Sequence, residues 1–184
     1  MRLNRLIIIL IVILDSGFSH AQKPVSESEL IKFKQEIDND AIKLRQKLTV
    51  LDYLSDFERQ LSIDFKIDTF RIERMLQKRM EIDYSTAGIV KATYDAEAEY
   101  DKLLNKYYQW LLKKLNDSDK EYLKQSQRNW LQFRDSERKL NAEVSKDEYS
   151  GGGTMQRVIV AGEYLDLTQR RVIELYGYLI RFNE

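Results

Sequence analysis

The side chains from which catalytic sites are most often assembled are nearly missing from this sequence. Its 184 residues include no Cys and one His, His20, which lies close to the N-terminus. Without a thiol or an imidazole in the body of the chain, Cys/His zinc sites, Ser-His-Asp triads, Cys-His dyads and histidine general bases are excluded on residue type. Carboxylate chemistry remains. A glycosidase sets two carboxyl groups on either side of the bond it cleaves. Asp83, Asp95, Asp101 and Asp135 can be nominated, but no spacing singles out a pair among 30 acidic side chains. The expectation is a protein that is not an enzyme, with no cofactor and no metal, working by contact with a protein partner.

The polar constellation with the most information runs over two segments. Asp101, Asn105 and Tyr108 share a stripe at helical spacing, and Gln127 and Arg134 do the same further along. Together they make a candidate network between two helices, with Asp101 or Asp135 neutralising Arg134 beneath Trp130. A guanidinium suits that place because its planar fork satisfies a carboxylate and nearby carbonyls at once. Such a network either fixes helix register or binds a partner, and the first role is the commoner. Trp130, Phe133, Tyr107 and Trp110 are either core or an aromatic contact surface. Gly151 to Thr154 has neither the preceding strand nor the Gly-Lys-Ser/Thr ending of a phosphate loop, and reads as a turn between helices. Flanked by Tyr149 and Met155, with Asp147 and Glu148 beside it, its tip is narrow enough to enter a concave cleft on a partner.

The elements that must hold these residues are helices. The only Pro, Pro24, precedes the first of them. Ser26 and Glu29 have capping-box spacing, and Leu30, Phe33, Ile37, Ala41, Leu44, Leu48 and Leu51 follow at three- and four-residue steps. From Phe57 to Met80 the helical pattern continues, although Ile63, Phe65 and Ile67 alternate with Asp64, Lys66 and Asp68 as a strand would. Helix is preferred there because no second strand exists to pair with it. A third helix, capped by Ser85 or Thr86, runs to about Leu115. Ser118 with Glu121 offers a capping box for a fourth, spanning about Asp119 to Ser145, and Thr154 an N-cap for a last helix. The apolar stripe over Glu29 to Glu81 packs either onto the rest of the chain or against another subunit, the first being favoured. The fold expected is all-α, an antiparallel helical bundle of about four to five helices.

The N-terminus differs from the rest. Arg2 and Arg5 precede an aliphatic run from Leu6 to Leu14, and Ser19-His20-Ala21 supplies small residues at cleavage positions. Residues 1–21 therefore read as a secretory signal peptide; the run stops at Asp15, short of a membrane span. No Cys follows for lipid attachment. The 30 basic and 30 acidic side chains fall to 28 and 29 once Arg2, Arg5 and Asp15 are removed. A charge of about −1 gives no global attraction to nucleic acid or to anionic lipid and leaves room only for local basic patches. The mature protein is expected to be periplasmic or secreted, with no stable insertion in the membrane and no disulfides.

Four blocks resemble the lysozyme inhibitor LprI-like family of exported bacterial proteins: residues 100–108, YDKLLNKYY; residues 127–135, QRNWLQFRD; Gly152-Gly153-Thr154-Met155; and Leu167-Thr168-Gln169-Arg170-Arg171. The resemblance covers about Ser85 to Leu179, and the Trp130-x-x-Phe133-Arg134-Asp135 block is its most specific part. It implies an all-α envelope domain over residues 85–184, preceded by a helical extension, 22–84, that the family pattern does not include. The activity implied is inhibition of lysozyme, with lysozyme as the partner. An envelope interaction or structural protein without inhibitory activity is the other reading. Many relatives carry paired cysteines, which this chain lacks.

Overall fold

The computed structural model describes residues 23–50 and 55–182. The proposed signal peptide and Leu51 lie outside the described residues. Among the described residues six helices follow in order: α1 (Glu27–Thr49), α2 (Asp56–Ile82), α3 (Thr86–Lys114), α4 (Asp117–Val144), α5 (Asp147–Ser150) and α6 (Met155–Leu179). Five are long and α5 is a single turn. The all-α bundle expected from the sequence is the fold observed, with no strand among the described residues.

The bundle is built around α3 and α6, which run parallel and in contact. Tyr94 meets Tyr164 near one end, and Tyr107 meets Tyr176 near the other. Ala96, Tyr100, Leu103, Leu104, Tyr107 and Leu111 of α3 interlock with Leu165, Val172, Leu175 and Leu179 of α6 in the main core. Each set recurs at three and four residues, so each covers one side of its helix. Parallel neighbours need a return path, and α4 supplies it: it runs antiparallel to both, with Tyr164 donating to the Arg138 carbonyl at one end and Arg171 to Gln127 at the other. It buries little of itself, Leu123 alone being fully covered.

Helix α2 packs antiparallel on α3, with Tyr100 donating to Glu73 at 3.0 Å and Lys106 paired to Asp68. Helix α1 covers the far side of α2 through a second, smaller cluster of Ala41, Leu48, Ile63 and Ile67. This arrangement explains the strand-like alternation over residues 63–67. Ile63 and Ile67 face α1, whereas Leu61 and Phe65 face the main core, where Phe65 stacks on Tyr176 at 4.0 Å. A helix apolar on two opposite sides loses the single-stripe signature and reads locally with a period of two. The stripe over residues 29–81 is thus satisfied within the chain.

Helix ends follow the expected chemistry at two of the four places the sequence marked. Ser26 and Glu29 form the capping box of α1 and the Ser85 side chain caps α3, while the Ser55 side chain, which the sequence reading did not single out, caps α2. The other two expectations are corrected. Helix α4 begins two residues early, because Asn116, in extended conformation, accepts from the Asp119 amide at 3.0 Å. Ser118 is already inside the first turn and donates to the Asn116 side chain at 2.7 Å. Thr154 precedes α6 but has helical backbone angles, φ −67° and ψ −22°, so its hydroxyl makes no cap. An N-cap needs extended backbone to aim its oxygen along the helix.

Candidate functional site

The residues singled out in the sequence gather along the seam between α3 and α4. Glu97, Asp101 and Asn105 stand at four-residue intervals on α3 and so share one side of it. On α4, Arg138 pairs with Glu97, and Arg134 lies 3.5 Å from Asp101 and 3.1 Å from Asp135. The Arg134 guanidinium also sits 5.3 Å from the centre of the Trp130 ring. Both carboxylates proposed to neutralise Arg134 therefore do so, beside the proposed aromatic. The two carboxylates are more than half exposed and Arg134 mostly buried, so the contact is worth about 1 kcal/mol.

Asn105, Tyr108 and Gln127 do not join Arg134. They line a shallow groove of about 390 Å³ further along the same seam, with Leu104, Lys124, Arg128 and Leu131. Gln127 is instead oriented by Arg171, the most buried charge among the described residues at 4% exposure. Arg171 donates from Nε to Gln127 Oε1 at 3.1 Å, from Nη2 to Ser126 Oγ at 3.1 Å and from Nη1 to Glu174 at 2.9 Å, and lies 5.8 Å from the Trp130 ring centre. Trp130, partly buried against the core, is thus flanked by two guanidinium groups. Periodicity alone marks Arg171 as one residue among the apolar positions of α6; its hub role needs the α4 partners to be seen.

The four aromatics do not form a common surface. Tyr107 is fully buried and Trp110 packs against its edge, while Phe133 is 51% exposed on the outer side of α4. Phe133, Leu140 and Val144, spaced by seven and four, form an exposed apolar stripe there. The stripe leads into the Gly-rich turn. Gly151, Gly152 and Gly153 all have positive φ, at 76°, 78° and 96°, a run that side chains with a Cβ resist. Gly151 closes α5, and the Gly152 amide donates to Ser150 Oγ. A Cβ on Gly152 would also meet the Asp147 carboxylate at 2.9 Å. Tyr149 and Met155, on either side of this turn, are 69% and 58% exposed.

The four nominated acids each have a local partner. Asp83 accepts from the Ser85 hydroxyl and amide, and Asp95 is held by Arg79 and Lys91. Burial would raise the Asp95 carboxyl, but the bonds from Arg79 and Lys91 outweigh it and lower it, the opposite of what a general acid requires. No cluster of three or more metal-ligating side chains occurs among the described residues, and none of their helices is long and apolar enough to cross a membrane.

Residues 77–175 match the model of the family described as Lysozyme inhibitor LprI. The match opens in the last turn of α2 and takes in α3, α4, the Gly-rich turn and most of α6, so all the seam residues and the turn fall within it. No curated protein and no solved structure matches the chain.

Proposed function

Since the chain belongs to the lysozyme inhibitor LprI family, we propose that it is an exported, non-catalytic protein that binds lysozyme and blocks its substrate cleft. The carrying observation is the exposed tip of the bundle. Three glycines with left-handed backbone form the turn between the exposed Tyr149 and Met155, and the short helix α5 joins that turn to α4, which carries the apolar stripe of Phe133, Leu140 and Val144. A concave enzyme cleft accepts such a tip at little steric cost, and exposed aromatic and thioether side chains are effective anchors once desolvated. Export follows from the basic, apolar and small-residue order of residues 1–21.

The charge balance argues for contact rather than steering. With 28 basic and 29 acidic side chains after cleavage, the protein exerts little long-range pull on a cationic enzyme, so affinity has to come from the anchors. The test is clearing of bacterial cell walls by lysozyme with rising amounts of residues 22–184, beside a direct binding titration. Saturable inhibition with a matching dissociation constant is expected. Replacing residues 151–154 by a polar linker of equal length should abolish it; inhibition retained by that variant overturns the tip as the inhibitory element. Absence of both binding and inhibition would leave the reading of a non-inhibitory envelope interaction protein.

A further inference from the structure

We propose that the groove between α3 and α4 binds a sugar that carries a carboxylate. The inference is independent of lysozyme inhibition and rests on how the seam is built. Going along α3, the positions facing α4 are Glu97, Asp101 and Asn105, and across from them α4 offers Arg138, Arg134 and then Arg128 with Lys124. The first two steps are closed by Arg–carboxylate pairs. At the third, an amide stands where the series had a carboxylate, and the seam opens into the groove. Two cations therefore line a cavity whose opposite wall, Leu104, Asn105 and Tyr108, carries no negative charge.

Neither cation is neutralised from across the groove. Lys124 pairs with Glu121 on its own helix at 2.6 Å, at the exposed surface. Arg128 has no carboxylate within ion-pair distance among the described residues, Glu121 on its own helix acting on it only from further off, and its side chain makes a hydrogen bond from Nη2 to Gln125 Oε1 at 3.0 Å. A guanidinium has five donors in a fork matched to a carboxylate, so most of its capacity is open to a ligand. The remaining lining fits a sugar ring. Leu104 and Leu131 give an apolar floor, Asn105 supplies an amide, and Tyr108 supplies a hydroxyl that lies within electrostatic reach of Lys124 and makes no hydrogen bond among the described residues. Gln127 has its oxygen committed to Arg171, which leaves its NH2 to donate. Converging amides, a phenol and a small apolar surface suit hydroxyl and N-acetyl groups, and about 390 Å³ is at the lower end for a small-molecule site.

The experiment titrates the purified protein with N-acetylmuramic acid and, separately, with N-acetylglucosamine, which lacks the lactyl carboxylate, following amide and side-chain NMR shifts. Saturable shifts confined to residues 104–108 and 124–131 are expected with the acid, and binding weaker by about tenfold or more with the uncharged sugar. Asn105→Asp supplies the missing carboxylate and should abolish binding while the protein melts at or above the parent temperature. Arg128→Gln, at an exposed position, should also abolish it with the fold intact. Equal binding of the two sugars, no shifts in the groove, or parent-like affinity in either variant overturns the proposal. So does saturation by a tetraglutamate peptide where the sugar acid fails, which would make the occupant an acidic peptide.

Discussion

Arg171 and Arg134 look alike in sequence and differ in what their removal should do. Arg171 is enclosed and holds Gln127, Ser126 and Glu174 together beside Trp130. Arg171→Ala strands those groups and opens a void, so a loss of about 2 to 3 kcal/mol is expected in urea unfolding. Arg134→Ala breaks contacts with two exposed carboxylates and should cost about 1 kcal/mol. An equal loss for both would mean that burial does not rank them. A separate residue-scale effect concerns Glu29, whose carboxyl is lowered from 4.5 to about 2 by hydrogen bonds from the Ser26 hydroxyl and amide, with Lys23 adding to it. A group with a depressed folded pKa stabilises fully above its unfolded value and stops doing so as pH falls through its folded one. The first turn of α1 should therefore loosen between pH 4.5 and 2, read as faster amide exchange of residues 27–30.

At the scale of the element, local pattern was a good guide where a helix buries one side and a poor one where it buries two or almost none. Helices α1 and α3 show a single stripe that gives the packed side as well as the extent, whereas for α2 and α4 the ends were legible to within two residues and the packing was not. Helix α2 lies between α1 and the core, and its opposed apolar sides imitate a strand. Helix α4 has so few buried side chains that its course follows from the ion pairs to α3 and the bonds to α6, which a sequence does not display. The candidate site divides the same way. The Arg134 contacts follow from helical spacing, whereas the separation of Asn105, Tyr108 and Gln127 into a groove follows from where Arg171 points. Two neighbouring polar residues test the α4 terminus. Asn116→Ala removes the side chain that caps the Asp119 amide and should cost about 1 kcal/mol of stability. Ser118→Ala removes only a bond between exposed side chains and should lie within about 0.5 kcal/mol of the parent. A larger loss at Ser118 would restore it as the cap.

The whole molecule is a stack with unequal attachments. Helix α1 is joined through its own small cluster and surface ion pairs such as Arg45–Asp64, while α3 and α6 share the main core. Hydrogen exchange should show α1 opening at a lower free energy than the α3–α6 pair, as expected where fewer apolar contacts hold an element. Uniform protection across all five long helices would show instead that the stack opens as one unit. The parallel centre also sets the order in which this chain can become a protein. Leu165, Val172, Leu175 and Leu179 are the last part of the interior to be synthesised, and their partners on α3 lie some seventy positions earlier, Tyr107 and Tyr176 being one such pair. Until α6 has been made, α3 has no partner for the side it buries in the main core. The main core is therefore complete only once α6 has been made, and every chain that stops before it leaves the buried side of α3 uncovered.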